Sequence, residues 1–154
     1  MVHIRTSIVI RRPQEETFDY LTDLRNAKEW ATELVDVAYD GELRVGAEGV
    51  DTRRRGSREF RLPWIVTAHE RPERLVLEFG PPLPATAEFT FGSESDGTRV
   101  SCDTELRPRG LWRLLTPVLA GEARHLDAAQ FQKAKEMLES RGAAVGSDQE
   151  EART

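Results

Sequence analysis

The side chains that could carry chemistry are few and scattered in this sequence. The histidines His3, His69 and His125 have no spacing that would let two of them hold a metal ion, and His69 falls on the outward face of its predicted strand. The one cysteine, Cys102, excludes an intrachain disulfide and a cysteine-built metal site, and we expect it to be a small buried side chain. No nucleophile elbow, phosphate loop or dinucleotide fingerprint occurs. The sequence therefore predicts no metal and no cofactor.

Two residues are candidate catalytic groups. Arg54 lies in the basic stretch TRRRGSREFR. If its side chain points to the same face of the strand as that of Val50, it could reach the mouth of a cavity and bind a carboxylate or phenolate. His125 stands beside Leu126 on a predicted helix stripe and could act as a general acid or base. The alternative for both is a solvent-exposed position, because charged side chains that alternate along a strand usually face water.

The composition is that of one globular domain. The chain has 154 residues, 38% of them hydrophobic, which is enough to bury a sizeable core. A net charge of −5, and a basic stretch without interleaved aromatic residues, argue against a nucleic-acid partner. No stretch is long and apolar enough for a signal peptide or integral membrane association, and the single cysteine fits a cytoplasmic location. We expect a monomer or homodimer.

The N-terminal part of the sequence predicts a strand followed by two short helices. HIRTSIVI alternates apolar and polar residues, as a half-buried strand does. Pro13 suits the first turn of a helix whose inward stripe contains Phe18 and Leu21. Asn26 and Glu29 have capping-box spacing, so a second helix, which carries Trp30, should begin there.

The rest of the sequence predicts about six strands and then one long helix. Turn pairs such as Asp96-Gly97 separate the alternating segments between residues 34 and 106. From residue 111 to 140 the sequence is rich in helix formers and has one apolar stripe, and Arg141-Gly142 is typical of a helix end. We therefore expect an α+β domain over residues 1–141, with the long helix across the concave face of an antiparallel sheet. The small and polar residues of 142–154 predict a disordered tail.

Four stretches resemble the START-like, or SRPBCC, superfamily, and in particular its polyketide cyclase/dehydrase branch. These are IVIRRPQEETFDYLTDLRNAKEW, HERPERLVLEF, DGTRVSCDTEL and GLWRLLTPVLAGEARHLDAAQFQKAKEMLE, and the likeness spans nearly all of residues 1–141. The resemblance implies a helix-grip fold, in which a curved antiparallel sheet of about six or seven strands wraps around a long C-terminal helix, with two short helices after strand 1. It also implies a cavity between the sheet and that helix.

The candidate ligand-binding residues share the inward strand parity or the helix stripe. Most are apolar or aromatic, as ligand pockets usually are, and the alternative is that they simply fill the core. Thr104 and Gln130 are polar, so each would either satisfy a buried neighbour or orient a ligand. The full set is Trp30, Trp64, Val66, Leu77, Phe89, Phe91, Cys102, Thr104, Leu119, Leu126 and Gln130.

Three functions follow from the resemblance. The first is binding of a small hydrophobic molecule, a lipid or a polyketide-like aromatic, in the cavity, with the two short helices closing one end. The second is a polyketide aromatase/cyclase or dehydratase, which would need a titratable group that points inward. The third is a partner-binding module, which would present an exposed apolar surface. The superfamily's fold does not decide among them.

Overall fold

The computed structural model of the protein describes residues 2–39, 41–81 and 83–151, and it leaves out the side chains of residues 112, 115, 116, 119 and 142–151. The elements are, in chain order, β1 Val2–Ile10, α1 Gln14–Thr22, a 3₁₀ turn Leu24–Asn26, α2 Ala27–Trp30, β2 Leu34–Tyr39, β3 Glu48–Arg55, β4 Arg58–Glu70, β5 Arg74–Phe79, β6 Ala85–Glu94, β7 Gly97–Leu106, a 3₁₀ segment Gly110–Leu115, and α3 Thr116–Glu151.

The seven strands form one antiparallel sheet in the order β1-β7-β6-β5-β4-β3-β2. Every strand from β2 to β6 pairs with the next strand in the chain, and β1 pairs with β7 along its whole length. This arrangement, with two short helices after β1 and one long C-terminal helix, confirms the predicted α+β helix-grip fold.

The predicted β6–β7 hairpin is present, with Ser95 and Asp96 in its tight turn and Gly97 as the first residue of β7, paired with Glu94. Gly97 has φ 153°, and a Cβ added there would lie 2.1 Å from the carbonyl oxygen of Ile10. Only glycine lets the end of β1 approach this turn so closely. Thr98 strengthens the junction, because its hydroxyl donates a 2.8 Å hydrogen bond to the carbonyl oxygen of Arg12.

The two short helices form where expected, but the predicted capping box is wrong. Asn26 makes no side-chain cap to α2. Glu29 turns elsewhere, since it accepts a 2.7 Å hydrogen bond from the Tyr20 hydroxyl and a 3.1 Å hydrogen bond from Arg141 on α3. These contacts tie α1, α2 and α3 together, so Glu29 stabilises the packing of helices rather than the start of one.

The long helix α3 lies beside β1 and the short helices. Ala134 and Leu138 are buried on its inner face, and Lys135 donates a 2.8 Å hydrogen bond to the carbonyl oxygen of Val9 in β1. The helix continues to Glu151, so the end predicted at Arg141-Gly142 is wrong. The division into a domain and a disordered tail stays a prediction, and residues 152–154 lie outside the described part.

A register shift between Val66 and Ala68 changes the parity of β4. Trp64 and Val66 are buried, as predicted, but the next residues no longer follow their alternation. His69 was expected to face outward, and this prediction is wrong, because its ring packs edge-on against Phe18 at a centroid distance of 5.6 Å. One extra residue in a strand is enough to turn every following side chain to the other face.

Replacing Gly49 with Ala is expected to destabilise the protein by about 1–3 kcal/mol, because the new methyl group would overpack a filled site. Gly49 is the register partner of Trp64, and a Cβ there would lie 2.1 Å from Cζ2 of the indole ring. Gly92→Ala is the matched control in β6, where a Cβ meets nothing within 4 Å. Urea unfolding of both variants measures the difference, and equal stability would contradict the observed stacking of Trp64 on Gly49.

Candidate ligand-binding cavity

A cavity of about 190 Å³ lies between the concave face of the sheet, α2 and α3. The sheet contributes mostly apolar side chains from β2 and from β4 to β7, whereas β3 contributes Asp51 and Arg53. Trp30 comes from α2, and Asp127, Gln130 and Phe131 come from α3. Several inward positions on the central strands carry short side chains: Ala85, Ala87, Cys102 and Thr104. Short side chains opposite a distant helix leave space that longer ones would fill.

Asp51 organises one wall of the cavity. It is buried, and its Oδ1 accepts a 2.9 Å hydrogen bond from Trp64 Nε1. Its other oxygen, Oδ2, accepts a 3.0 Å hydrogen bond from Arg53 Nη2. A buried carboxylate is tolerated when it is paired and hydrogen-bonded, and the pair in turn fixes both of its donors. One side chain therefore holds an aromatic wall and a cationic group in place.

Two buried donors of the lining have no hydrogen-bond partner in the described structure. They are Nε1 of Trp30 and Nε of Arg53. Leaving such a group unsatisfied costs on the order of 1–3 kcal/mol, so native structures rarely do so without a reason. Two unpartnered N–H groups in one cavity mark a place where an acceptor atom of a guest would be stabilised.

The chain path places the residues that carry these two donors in neighbouring parts of the cavity wall. Trp30 is the last residue of α2, and β2 begins at Leu34. Leu34 is the register partner of Arg53 in β3, and the next residue pair is joined by a 2.8 Å hydrogen bond from the backbone N–H of Arg54 to the carbonyl oxygen of Glu33. We call this region, formed by Trp30, Asp51, Arg53 and Asp127, the polar end of the cavity.

Asp127 is the titratable group that α3 adds to the polar end. Burial raises its pKa from the ordinary value of 3.8 to about 6, against the opposing influence of the Arg53 charge. Within the described chain its carboxyl group makes no hydrogen bond and no ion pair, so no contact fixes its charge state. A carboxyl group that titrates near neutral pH inside a cavity can exchange a proton with a bound molecule.

Cys102 lines the cavity as a neutral thiol. Burial raises its pKa to about 12, and its Sγ lies 3.5 Å from Thr104 Oγ1. A thiol with so high a pKa is a poor nucleophile, because the thiolate is the reactive form. Cys102 and Thr104 therefore pair with each other and shape the wall.

The structure brings most of the predicted ligand-binding residues into the cavity lining. These are Trp30, Trp64, Leu77, Phe89, Phe91, Cys102, Thr104 and Gln130. Val66 is buried in the core outside the lining, Leu126 is half-buried and also outside it, and the side chain of Leu119 lies outside the described part. That any of these residues contacts a ligand stays a prediction.

The two candidate catalytic residues do not lie in the lining. Arg54 is exposed and its Nε donates a 3.2 Å hydrogen bond to Glu59 on the neighbouring strand, so the expectation that it reaches the cavity mouth is wrong. The prediction assumed that Val50 and Arg54 lie on the inward face of β3, whereas Asp51 and Arg53 are the residues of β3 that line the cavity. His125 is exposed on α3.

Sequence reasoning missed the three charged residues of the polar end, Asp51, Arg53 and Asp127, although it predicted Trp30. Asp51 and Arg53 lie in a polar and charged stretch, and charged side chains are rarely assigned to a core. Asp127 precedes Gln130 by one helical turn, so the two share a face of α3. This spacing was the one signal in the sequence that could have pointed to Asp127.

Other kinds of site find no support among the residues that the structure describes. No group of three or more histidine, cysteine, aspartate or glutamate side chains there is arranged to hold a metal ion. None of the helices in this part of the chain is both long and apolar enough to cross a membrane.

A curved antiparallel sheet, a long C-terminal helix and a cavity between them define the helix-grip class of proteins. The chain belongs to the family described as polyketide cyclase/dehydrase and lipid transport, whose model matches residues 1–140. Comparison with curated proteins gives no match.

Solved structures with the same fold cover almost all of the chain. TTHA0849 from Thermus thermophilus has a TM-score of 0.78 and 14% identity, over 91% of this chain and 99% of that one. NE0264 from Nitrosomonas europaea has a TM-score of 0.75 and 17% identity, over 92% and 97%. The di-domain ARO/CYC StfQ from the steffimycin biosynthetic pathway has a TM-score of 0.73 and 11% identity, over 92% of this chain and 52% of that one. At such identities these likenesses concern the fold alone.

Replacing Asp127 with Asn is expected to stabilise the protein more at neutral pH than in acid. Because the pKa of Asp127 is higher in the folded protein than in the unfolded chain, the protonated carboxyl group favours folding. This contribution is fully present below the unfolded pKa of 3.8 and is lost as the pH rises through about 6. The gain from Asn should therefore grow from about pH 4 to about pH 6 and then level off at no more than about 3 kcal/mol. Urea unfolding across this pH range measures it.

Asp19→Asn is the control with the opposite sign. The pKa of Asp19 is lowered, chiefly by its hydrogen bond from Arg71, so its contribution is present at neutral pH and is lost as the pH falls. A gain for Asp127→Asn that does not depend on pH, or that follows the trend of Asp19→Asn, would contradict the burial of Asp127.

Proposed function

We propose that the protein binds a small, largely apolar molecule in the cavity between sheet and α3. The observation that carries the proposal is a cavity of about 190 Å³ whose wall is mostly apolar and includes Trp30, Trp64, Phe89 and Phe91. Membership of a family described by polyketide cyclisation and lipid transport supports it, as does the fold shared with an aromatase/cyclase of steffimycin biosynthesis. A lipid-derived chain and a polyketide-like aromatic are the two guests that these relatives suggest.

The size of the cavity limits the guest. An engineered cavity of about 150 Å³ in another protein binds benzene, so the present one suits a single substituted ring or a short acyl chain. A ring of that size buries roughly 150–250 Å². At about 25 cal/mol per Å² this gives roughly 4–6 kcal/mol before the costs of ordering the guest. Affinities in the millimolar range, and no tighter than about tens of micromolar, are therefore expected for one-ring compounds, and larger guests would require the cavity to open.

Native mass spectrometry of the purified protein tests the proposal directly. A co-purified molecule, or saturable mass shifts on addition of one-ring aromatics, is the expected result. The complete absence of both would contradict it. The same spectra report whether the protein is a monomer or a homodimer, which stays a prediction from the sequence, as does a cytoplasmic location.

Replacing Ala87 with Leu is expected to weaken binding of one-ring aromatics at least about tenfold, because the larger side chain would occupy the space of the guest. Ala87 is buried in β6 and lines the cavity. Ala128→Leu is the control, since Ala128 is exposed on α3 outside the lining. Titration by tryptophan fluorescence measures both, and unchanged affinity in a folded Ala87→Leu protein would place the guest elsewhere.

Catalysis of polyketide cyclisation or dehydration is a second candidate function, which Asp127 favours. The Asp127 carboxylate could remove a proton from a carbon between two carbonyl groups, while the free donors of Trp30 and Arg53 hold the enolate oxygen. The new carbon–carbon bond would then form, and the resulting alkoxide would take the proton back.

Turnover of a cyclisable poly-β-ketone should follow the ionisation of Asp127 if this second function holds. With the carboxylate as base, the rate is expected to rise through about pH 6, where burial places the pKa of Asp127. Asp127→Asn should abolish this pH dependence and most of the turnover, whereas Arg54→Met should preserve both. A pH profile unaffected by Asp127→Asn would remove the enzyme hypothesis.

The third hypothesis, a partner-binding module, would have to use a surface other than the cavity. It required an exposed apolar groove, whereas the aromatic wall of the cavity is buried or half-buried. Large exposed apolar side chains occur instead at Leu111, Leu114 and Val118, which are not part of the lining.

A further inference from the structure

We propose that the polar end of the cavity selects a neutral guest that carries an acceptor oxygen, and that Asp127 excludes carboxylates. The proposal rests on the proposed function, since it assumes that the cavity takes a small apolar molecule. It adds the chemical class of that molecule: a ketone, ester or similar carbonyl compound rather than a free acid.

The guest should carry a hydrogen-bond acceptor because two donors of the cavity wall have no partner. Trp30 Nε1 and Arg53 Nε are buried, line the cavity and make no hydrogen bond in the described structure. Indole and guanidinium N–H groups donate and cannot accept, so only an acceptor atom satisfies them. A purely hydrocarbon guest would exclude water from both donors and leave them unpaired. A guest with one oxygen placed at this end would pair with at least one of them.

The guest should be neutral because of the charged residues that line the polar end of the cavity. The titratable or charged residues of the lining are Asp51 and Arg53 on β3, Cys102 on β7 and Asp127 on α3. Arg53 is already paired with Asp51 through the 3.0 Å contact, and Cys102 is a neutral thiol. The ionised Asp127 therefore leaves the cavity with a net negative charge. A carboxylate guest would add a second unpaired anion in a site of low polarity, and like charges there repel strongly.

Asp127 is placed to exert this repulsion. Its carboxyl group influences Arg53 electrostatically, yet the two make no ion pair, so Arg53 does not neutralise it by contact. Removal of its charge, by Asn or by protonation, should open the polar end to anions. The remaining charges, those of Asp51 and Arg53, would then balance each other.

Three one-ring probes separate these requirements: toluene without an acceptor, acetophenone with a neutral acceptor, and benzoate with an anionic one. At about pH 7.5 we expect acetophenone to bind about tenfold more tightly than toluene, the fold-change of one good hydrogen bond, and benzoate to bind at least about tenfold more weakly than acetophenone. Isothermal titration calorimetry on the full chain measures all three.

Matched variants assign the effects to residues. Arg53→Met and Trp30→Phe should each reduce the preference for acetophenone over toluene, whereas Arg54→Met, one residue away on the exposed face, should leave it unchanged. Asp127→Asn should tighten benzoate binding about tenfold with little effect on toluene. Glu136→Gln, an exposed position on the same helix, is its control.

The wild-type protein supplies a test that needs no variant. Lowering the pH from about 7.5 to about 5.5 should tighten benzoate binding and leave toluene binding unchanged, because Asp127 becomes protonated over this range. Binding of none of the probes would overturn the proposed function and this inference together. Equal binding of toluene and acetophenone, or benzoate as the tightest ligand at pH of about 7.5, would overturn the inference and leave the binding function standing.

Discussion

The position of α3 relative to the sheet is the constraint on which the interior depends. Its backbone packs closely against β1, α1 and α2, and it makes at most sparse backbone contact with β3 to β6. Side chains must therefore fill the space between the helix and the central strands. Short side chains such as Ala85, Ala87 and Cys102 do not fill it. Protein interiors usually pack at the density of organic crystals, so a space of about 190 Å³ is a feature that this spacing creates.

Asp51 connects the apolar wall to the polar end. Its two oxygens hold Trp64, which packs on Gly49, and Arg53, whose Nε is buried without a hydrogen-bond partner in the described structure. Burial of a charge pair seldom adds much stability over an apolar pair, because desolvation offsets the attraction. What the pair provides is a fixed direction for two donors. Asp127, on the opposite side, lacks such partners, and its charge can respond to pH or to a guest.

The sequence was sufficient for the fold and for the apolar part of the candidate site. Element order, turn pairs and helix composition define the architecture, and simple alternation correctly placed Phe89, Phe91 and Thr104 on the cavity face of β6 and β7, which pair without a bulge. Alternation failed at the end of β4, where a register shift interrupts the pairing, and it failed in β3 because the wrong face was taken as the inward one, although that strand itself alternates without a break. The charged residues of the polar end were missed because charged side chains are rarely assigned to a core, and because Trp64, which pairs with the buried Asp51, lies on a different strand.

Crystallography under xenon pressure tests the central claim most directly, because xenon enters apolar cavities without needing a specific contact. The account predicts xenon density between the aromatic wall of Trp64 and Phe91 and the inner face of α3 near Phe131, with little movement of the surrounding side chains. An interior that takes up no xenon there, with the aromatic rings packed against α3, would contradict it.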